Sequence, residues 1–448
     1  MNTVFILLTS GFAARNVLQT DIFRTLKQAG LRLVFFVPPG TKGEFKSFEE
    51  PGKTIFHEYQ YPSALERKLG YFRCLNSFEQ AATWKLNTET LNAKREIRKK
   101  KNLLRYFFYR LAALLASPGW IEDILRRVDW LLFTKTWIKE LFSGYAPSLV
   151  YSTDPLFFDE LYFLEYAKQN KIKIISQILS WDNLTVRGFL PVLPERLIVW
   201  NEIMKDQAKK LYGYRDEQIY ISGIPQFDLY FRPEAIPSKA DFFRALGADP
   251  AKRLVVYLTG APNNYPSESS LVCQIVKSAM DSGGLGETCQ FLIRLNPKDS
   301  PERYAALSGF KNVIIMPVAS PNVKFRDAWN PGREDILSMA ATLKYADVVL
   351  NMSSTTVIEA AIFNAPIITV DIDPSLHYFY RFDHYQQVLA SGGTRIAKSV
   401  TEAVDLVSRY LRNKTLDAAG RDAIVEKQCV FRDGLSAKRI GEYIVSQI

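Results

Sequence analysis

The residues of this chain best suited to chemistry lie in one short run, Ser353-Ser354-Thr355-Thr356, with Glu359 just beyond it. An apolar segment, Val348–Leu350, leads into the hydroxyl cluster, and the cluster opens a helix. Small hydroxyl side chains at a helix start cap free backbone N–H groups. Those N–H groups and the helix dipole together make an anion site suited to a diphosphate. Glu359, one turn in, can reach the paired hydroxyls of a ribose beside it. Four hydroxyl residues alone also make an ordinary helix cap. The pattern gains specificity from the Asn364-Ala365-Pro366 stop and the apolar Ile367–Val370 that follow.

Three further segments accompany it, two of them with groups for the same ligand. Leu258-Thr-Gly260-Ala-Pro-Asn-Asn264 reads as a strand ending in a flexible loop at the cleft. Ile293-Arg294-Leu-Asn-Pro-Lys298-Asp299 brings two cations that can neutralise a diphosphate through charge-assisted hydrogen bonds, or that simply face solvent at a strand end. Gly223-Ile-Pro225-Gln-Phe-Asp228 reads as a tight turn after a strand, with Asp228 in a structural role.

The first half carries candidates for the other reactant. Ser10, Gly11 and Arg15 follow the first apolar run, without the glycine spacing of a dinucleotide fingerprint. Leu179-Ser-Trp181-Asp182-Asn183-Leu-Thr-Val-Arg187-Gly188 follows another. A general base must lie within hydrogen-bond reach of the hydroxyl it deprotonates. Asp182 is the candidate for that role, with Arg187 supporting a phosphate or the acceptor and Trp181 and Asn183 lining the turn. An Asp at this place equally well caps a helix. His377-Tyr-Phe-Tyr-Arg381-Phe-Asp-His384 either lines a cleft or packs.

The elements that must position these groups alternate between short apolar runs and longer amphipathic stretches, the signature of βαβ units and a parallel sheet. The first half offers Val4–Leu8, Leu31–Val37, Leu149–Ser152, Ile172–Ile178 and Leu197–Trp200 as strands, with a helix over Leu18–Ala29. The second offers Ile219–Ser222, Leu254–Thr259, Phe291–Arg294, Val313–Met316, Val348–Leu350 and Ile367–Val370. The expected fold class is α/β, with two Rossmann-like domains facing each other across a cleft and ligands outside the carboxyl ends of the strands. The expected division is 1–200, 201–435 and a final helix at 436–448 that crosses back to the first domain. Residues 87–141 are the exception to the alternation. Lys94, Arg95, Arg98 to Lys101, Arg105 and Arg110 surround Tyr106 to Tyr109, and Trp120, Trp130 to Phe133 and Trp137 follow. This stretch reads as a helical insertion whose basic face is either merely solvated or sits on an anionic membrane or lipid-linked acceptor.

Composition narrows the classes further. The 448 residues suit two domains, with 47% hydrophobic and 23% charged residues. Cys74, Cys273, Cys289 and Cys429 have no short paired spacing, which argues against a disulfide framework or zinc site and for a reducing compartment. With three histidines, His57, His377 and His384, a histidine-rich metal centre is not expected. A net charge of +10 asks for an anionic partner. Val4–Leu8 is too short for a signal segment, and the longest apolar stretch, Leu103–Ala116, is broken by Arg105 and Arg110. The expected location is cytoplasmic, with the inner membrane face as a peripheral site, and no nucleic-acid motif is present.

The strand, hydroxyl cluster, acidic helix residue and Pro-strand sequence of Tyr345–Val370 is similar to the donor-site segment of GT-B glycosyltransferases. By that resemblance Ser353, Ser354, Thr355 and Thr356 hold the donor diphosphate and Glu359 its ribose, with Gly260, Arg294 and Lys298 on the phosphates. Ile221–Tyr230 resembles the segment that opens the C-terminal domain of CDP-glycerol glycerophosphotransferases. Those relatives often carry His-Pro where this chain has Asn296-Pro297, and a His-Gly turn near Trp181-Asp182-Asn183. The resemblance implies a metal-independent glycosyltransferase without a cofactor, moving a sugar from a nucleotide-diphosphate sugar to a cell-envelope or surface-polysaccharide acceptor. A CDP-polyol phosphotransferase and a non-catalytic nucleotide-sugar binding protein are the alternatives. A nucleotide-sugar 2-epimerase shares the fold but needs carboxylates and a histidine that these motifs do not assemble.

Overall fold

The computed structural model describes residues 1–60, 88–115, 124, 136–186, 190, 192–281, 285–319 and 324–448. Cys74, Asn87, Trp120, Trp130 to Phe133, Arg187 and Gly188 lie outside the described residues. The chain divides into two compact units. One comprises Met1–Gly223, Lys324–Arg326 and Ala437–Ile448, and the other Ile224–Val323 and Asp327–Ser436.

The first unit is built on a parallel sheet of β1 (Thr3–Leu7), β2 (Arg32–Val37), β3 (Thr54–Glu58), β4 (Leu149–Ser152), β5 (Lys173–Gln177), β6 (Arg196–Val199) and β7 (Ile219–Ile221). Their spatial order is β3-β2-β1-β4-β5-β6-β7. A parallel sheet covered on both faces needs apolar residues at every strand position rather than at alternate ones. In β1, Val4 and Ile6 enter one core while Phe5 and Leu7 enter the other. Helices begin where side chains cap them: the Oγ of Ser10 accepts from Ala13 N–H at 3.1 Å, and Asn201 Oδ1 accepts from Met204 N–H at 2.9 Å. The last helix, Ser436–Ser446, sends Ala437, Ile440 and Ile444 into the same core as Val4 and Ile6, and Tyr443 stacks on Tyr220 at 4.1 Å.

The second unit holds β8 (Arg253–Leu258), β9 (Cys289–Arg294), β10 (Val313–Met316), β11 (Val348–Asn351), β12 (Ile367–Val370) and β13 (Arg395–Ala397), all parallel in the order β10-β9-β8-β11-β12-β13. Its core gathers Val255, Tyr257, Phe291, Leu350 and Ile368 against helices that include Glu268–Asp281 and Val400–Arg412.

Four elements differ from the sequence expectation. Ile219–Ile221, read as opening the second half, pairs with β6 at the edge of the first sheet. The helix expected over Leu18–Ala29 spans Asp21–Gln28, with Leu18 ending the preceding helix Gly11–Leu18, because Thr20 starts it with a side-chain cap onto Ile22 N–H. The strands β3 and β13 had no sequence counterpart: β13 has only three residues, and His57, Glu58 and Arg395 interrupt their apolar runs. Among the described residues no helix is long and apolar enough to cross a membrane, and no group of three His, Cys, Asp or Glu could hold a metal ion.

Candidate functional site

Each sheet has one place where the strand order reverses. In the second unit it lies between β8 and β11, since β9 and β10 continue to one side and β12 and β13 to the other. The loops leaving two such strands depart in opposite directions and open a crevice at their carboxyl ends. The loop after β8 carries Thr259 and Gly260, and the loop after β11 carries Ser353 and Ser354. These sequence candidates, 93 positions apart for Gly260 and Ser353, therefore meet at one crevice.

Tyr265 joins them. Its phenol oxygen lies 3.1 Å from the Ser353 carbonyl oxygen and 2.9 Å from Ser353 Oγ. Its ring packs so closely on Gly260 that a Cβ there would stand 2.3 Å from a ring carbon. The Gly260 N–H donates to Glu268 Oε2 at 2.8 Å, and the Tyr257 hydroxyl donates to Oε1 at 3.3 Å. Glu268 is buried, and its desolvation pushes its pKa up to about 8 against the lowering effect of the Gly260 N–H.

The hydroxyl cluster itself is half-buried. The helix after it, Thr356–Ile362, is short, and Thr355 sits before it in helical conformation without capping it through its side chain. The cap role expected of all four hydroxyls falls only to Ser354, whose Oγ accepts from Thr356 N–H at a long 3.4 Å. The Thr356 hydroxyl instead accepts from the amide of Asn351 at 3.1 Å. Asn351 is fully buried, and its Oδ1 has no hydrogen-bond partner among the described residues. On the same helix Glu359 Oε2 accepts a 2.6 Å hydrogen bond from the phenol of Tyr230, a residue the sequence did not single out. Tyr230 in turn stacks on Phe227.

Arg294 ends β9 beside this crevice. Its guanidinium donates to Ser338 Oγ at 2.9 Å, Thr342 Oγ1 at 3.2 Å and Met316 sulfur at 3.5 Å. All of these are neutral, and among the described residues no carboxylate forms an ion pair with it. Burial lowers its pKa, while Tyr230, Asp335 and Glu359 are near enough to act the other way. Lys298 is exposed on the following loop. Asp228 is structural, since its Oδ1 accepts from Ser436 N–H at 2.9 Å. His377 Nδ1 pairs with Asp371 at 2.7 Å, where burial raises the Asp371 pKa.

In the first unit the strand order reverses between β1 and β4. Of the sequence candidates, Ser10, Gly11 and Arg15 belong to the helix Gly11–Leu18 and its cap after β1. Ser10 is buried and spends its hydroxyl on the cap, while Arg15 lies over the Phe12 ring at 4.7 Å with Nε donating to Asn16 at 3.3 Å. Thr9 apart, the groups concentrated here are ones that the sequence motifs do not include. Glu160 is fully buried and accepts from Thr9 Oγ1 at 3.1 Å, Ser152 Oγ at 2.5 Å, Thr153 Oγ1 at 3.2 Å and Asp154 N–H at 3.1 Å. Desolvation foremost, then the charge of Asp154, pushes its pKa up to about 8. The Asp154 carboxylate pairs with Arg326 at 3.0 Å, and that guanidinium rests 3.5 Å from the Phe157 ring centre. A signal for this cluster does exist in the sequence, because Ser152-Thr-Asp154 is a second hydroxyl-rich strand exit.

Asp182 precedes the short helix Asn183–Val186, and its backbone carbonyl accepts from Thr185 N–H at 3.1 Å and Val186 N–H at 2.8 Å. Trp181 and Asn183 are buried on either side. These residues follow β5, two strands away from β1 in the sheet.

No family model matches the chain, and no curated protein is similar to it in sequence. Solved structures are similar in fold. A UDP-GlcNAc 2-epimerase from Neisseria meningitidis, bound to UDP-GlcNAc, matches 100% of this chain and 100% of its own, at 10% identity and a TM-score of 0.57. A glycosyltransferase from Rickettsia africae matches 100% of this chain and 99% of its own, at 10% identity and 0.53. MurG of Acinetobacter baumannii matches 100% of both, at 11% identity and 0.50. The architecture is GT-B, two Rossmann-like domains in one chain. The local similarity to CDP-glycerol glycerophosphotransferases gains no support from these structures.

Proposed function

We propose that the chain is a glycosyltransferase that binds a nucleotide-diphosphate sugar at the β8–β11 crevice and passes the sugar to a cell-envelope or surface-polysaccharide acceptor. The observation that carries this is Arg294, a partly buried cation whose hydrogen-bond partners are all neutral. A desolvated charge of this kind is stabilised when an anion arrives. The groups beside it suit a nucleotide diphosphate: Ser353 to Thr356 and the Gly260 loop for phosphate oxygens, Lys298 for outer charge, and Glu359 for ribose hydroxyls. The likeness in fold to a structure holding UDP-GlcNAc makes uridine nucleotides the first to try.

In the reaction the acceptor hydroxyl attacks the anomeric carbon, the bond from that carbon to the diphosphate breaks, and the departing oxygen gains negative charge. Arg294 balances that charge. The acceptor proton passes to a base, for which Asp182 is the assigned candidate. The test is calorimetric titration with UDP, GDP, CDP and dTDP, followed by transfer assays on the wild type, Glu359→Ala and Asp182→Ala. Loss of no activity in either variant would overturn the site assignment, and failure of every nucleotide to bind would overturn the function.

A second reading has one observation in its favour. The buried Asp154 and Glu160 beside the β1–β4 reversal are carboxylates able to move a proton, and epimerases share the fold. Conversion of UDP-GlcNAc into its C2 epimer without any acceptor, followed by NMR, would support epimerisation over transfer.

A further inference from the structure

The helix Leu103–Leu115 lies wholly within the first unit. At about 100° per residue, Leu103, Leu104, Phe107, Phe108, Leu111 and Leu114 fall within about 140° of its circumference. A buried stripe of that width is what an amphipathic helix normally turns to a core. Here it faces outward: Leu104 is 86% exposed, Leu114 68%, Leu111 59% and Phe107 58%. The side that does pack is the opposite one. Tyr109 is buried there, with Arg98 of the preceding helix 4.2 Å above its ring and Arg105 5.7 Å from it.

The charge around the stripe is one-sided. Residues 88–115 hold eight Lys or Arg against two Glu, Glu89 and Glu96. The preceding helix, Glu89–Lys101, ends in Arg98, Lys99, Lys100 and Lys101. Lys99, Lys100, Lys101, Arg105 and Arg110 are exposed, and among the described residues none of them pairs with a carboxylate. Arg105 and Arg110 flank the apolar stripe on its two sides, where long cationic side chains can reach headgroups while the leucines and phenylalanines enter the acyl boundary.

We propose that this helix docks the protein on an anionic lipid bilayer, the apolar stripe inserted at the headgroup boundary and the basic residues on anionic headgroups. A second copy of the chain fits less well, because the stripe would bring its own basic fringe against the same charge. The proposal does not depend on which reaction the crevices catalyse.

The test is co-sedimentation of the full chain with phosphatidylcholine vesicles, with and without phosphatidylglycerol, alongside light scattering of the protein alone. Binding to the anionic vesicles and not to the neutral ones is expected. Leu104→Ser with Phe107→Ser and Leu111→Ser should abolish it. Lys99→Gln with Lys100→Gln and Lys101→Gln should weaken it by at least about tenfold, since each basic residue near an anionic surface contributes about fivefold. Circular dichroism confirms that both variants fold, as exposed residues should allow. Equal binding by the folded apolar variant, binding indifferent to lipid charge, or a lipid-free dimer dispersed by the apolar variant would each overturn the proposal.

Discussion

The phenol of Tyr265 sits 2.9 Å from Ser353 Oγ, tying the loop after β8 to the loop after β11 at the reversal of the second sheet. The same ring leaves no room for a Cβ on Gly260. Gly260→Ala must therefore push the ring aside and loosen Ser353. Overpacking of this kind costs about 1–3 kcal/mol, whereas Tyr265→Phe removes only a hydrogen bond, about 1 kcal/mol. Urea unfolding should rank the two in that order, and UDP titration should show the alanine variant binding more weakly. Equal stability of Gly260→Ala and the wild type would contradict the packing.

Glu160 and Glu268 give the protein a defined pH response. Both release their proton near 4.5 when unfolded and hold it to about 8 when folded. Between those values the folded chain binds more protons, so stability present at low pH is lost as pH rises towards 8. The slope is at most about 1.4 kcal/mol per pH unit for each group. Glu160→Gln mimics the protonated acid and should flatten the curve in this window. Melting temperatures of wild type and variant across it that run parallel would mean that Glu160 is ionised throughout.

The Asp154 carboxylate, with no exposed side-chain surface, pairs with Arg326 at 3.0 Å. Removing one partner of a buried pair leaves an uncompensated charge, about 3–5 kcal/mol. Arg326→Met should lose that much in chemical denaturation. Adding Asp154→Asn should recover most of it, because no charge is then stranded. A double variant as unstable as the single would show that Arg326 acts through its packing on Phe157 instead.

How much of this could be read from the sequence followed the physics of each feature. Runs such as Phe291–Arg294 and Ile367–Val370 are buried on both faces, so their apolar continuity marks them as strands without further help. β3 and β13 lie at or near the rim and carry polar residues, and rim strands lose that signature. Gly260 and Ser353 were legible as separate strand exits, but their meeting depends on β8 and β11 being neighbours, and strand order is set by crossovers that local pattern does not encode. Glu160 and Glu268 look like ordinary helix residues in sequence. Their burial beneath strand exits is a tertiary fact.

Tyr230 offers a way to separate the two parts of the second-unit crevice. Its phenol donates to Glu359 at 2.6 Å. Tyr230→Phe keeps the ring stacked on Phe227 and takes away only that bond, so folding should suffer by about 1–2 kcal/mol at most. If Glu359 holds a ribose, the loss of its positioning partner should weaken a ribonucleotide more than inorganic diphosphate. Competition titrations with UDP and with diphosphate would read the difference. Equal effects on both would place Tyr230 outside ribose recognition.

Arg294 supports the sharpest separation of binding from stability. A guanidinium whose partners are Ser338, Thr342, Met316 and a backbone carbonyl carries a desolvation cost that neutral hydrogen bonds offset only in part. Arg294→Met keeps the length and apolar stem while removing the charge. Without ligand the variant should be as stable as the wild type or more so, in line with the replacement of buried charges by apolar side chains of similar volume. With ligand the sign reverses. A charge-assisted hydrogen bond to phosphate contributes about 1.5–3 kcal/mol, so nucleotide-diphosphate affinity should fall by roughly 10- to 100-fold. A structural arginine would behave the opposite way, losing stability on substitution and leaving affinity unchanged. Denaturation and nucleotide titration on the same variant thus decide between the two roles in one comparison.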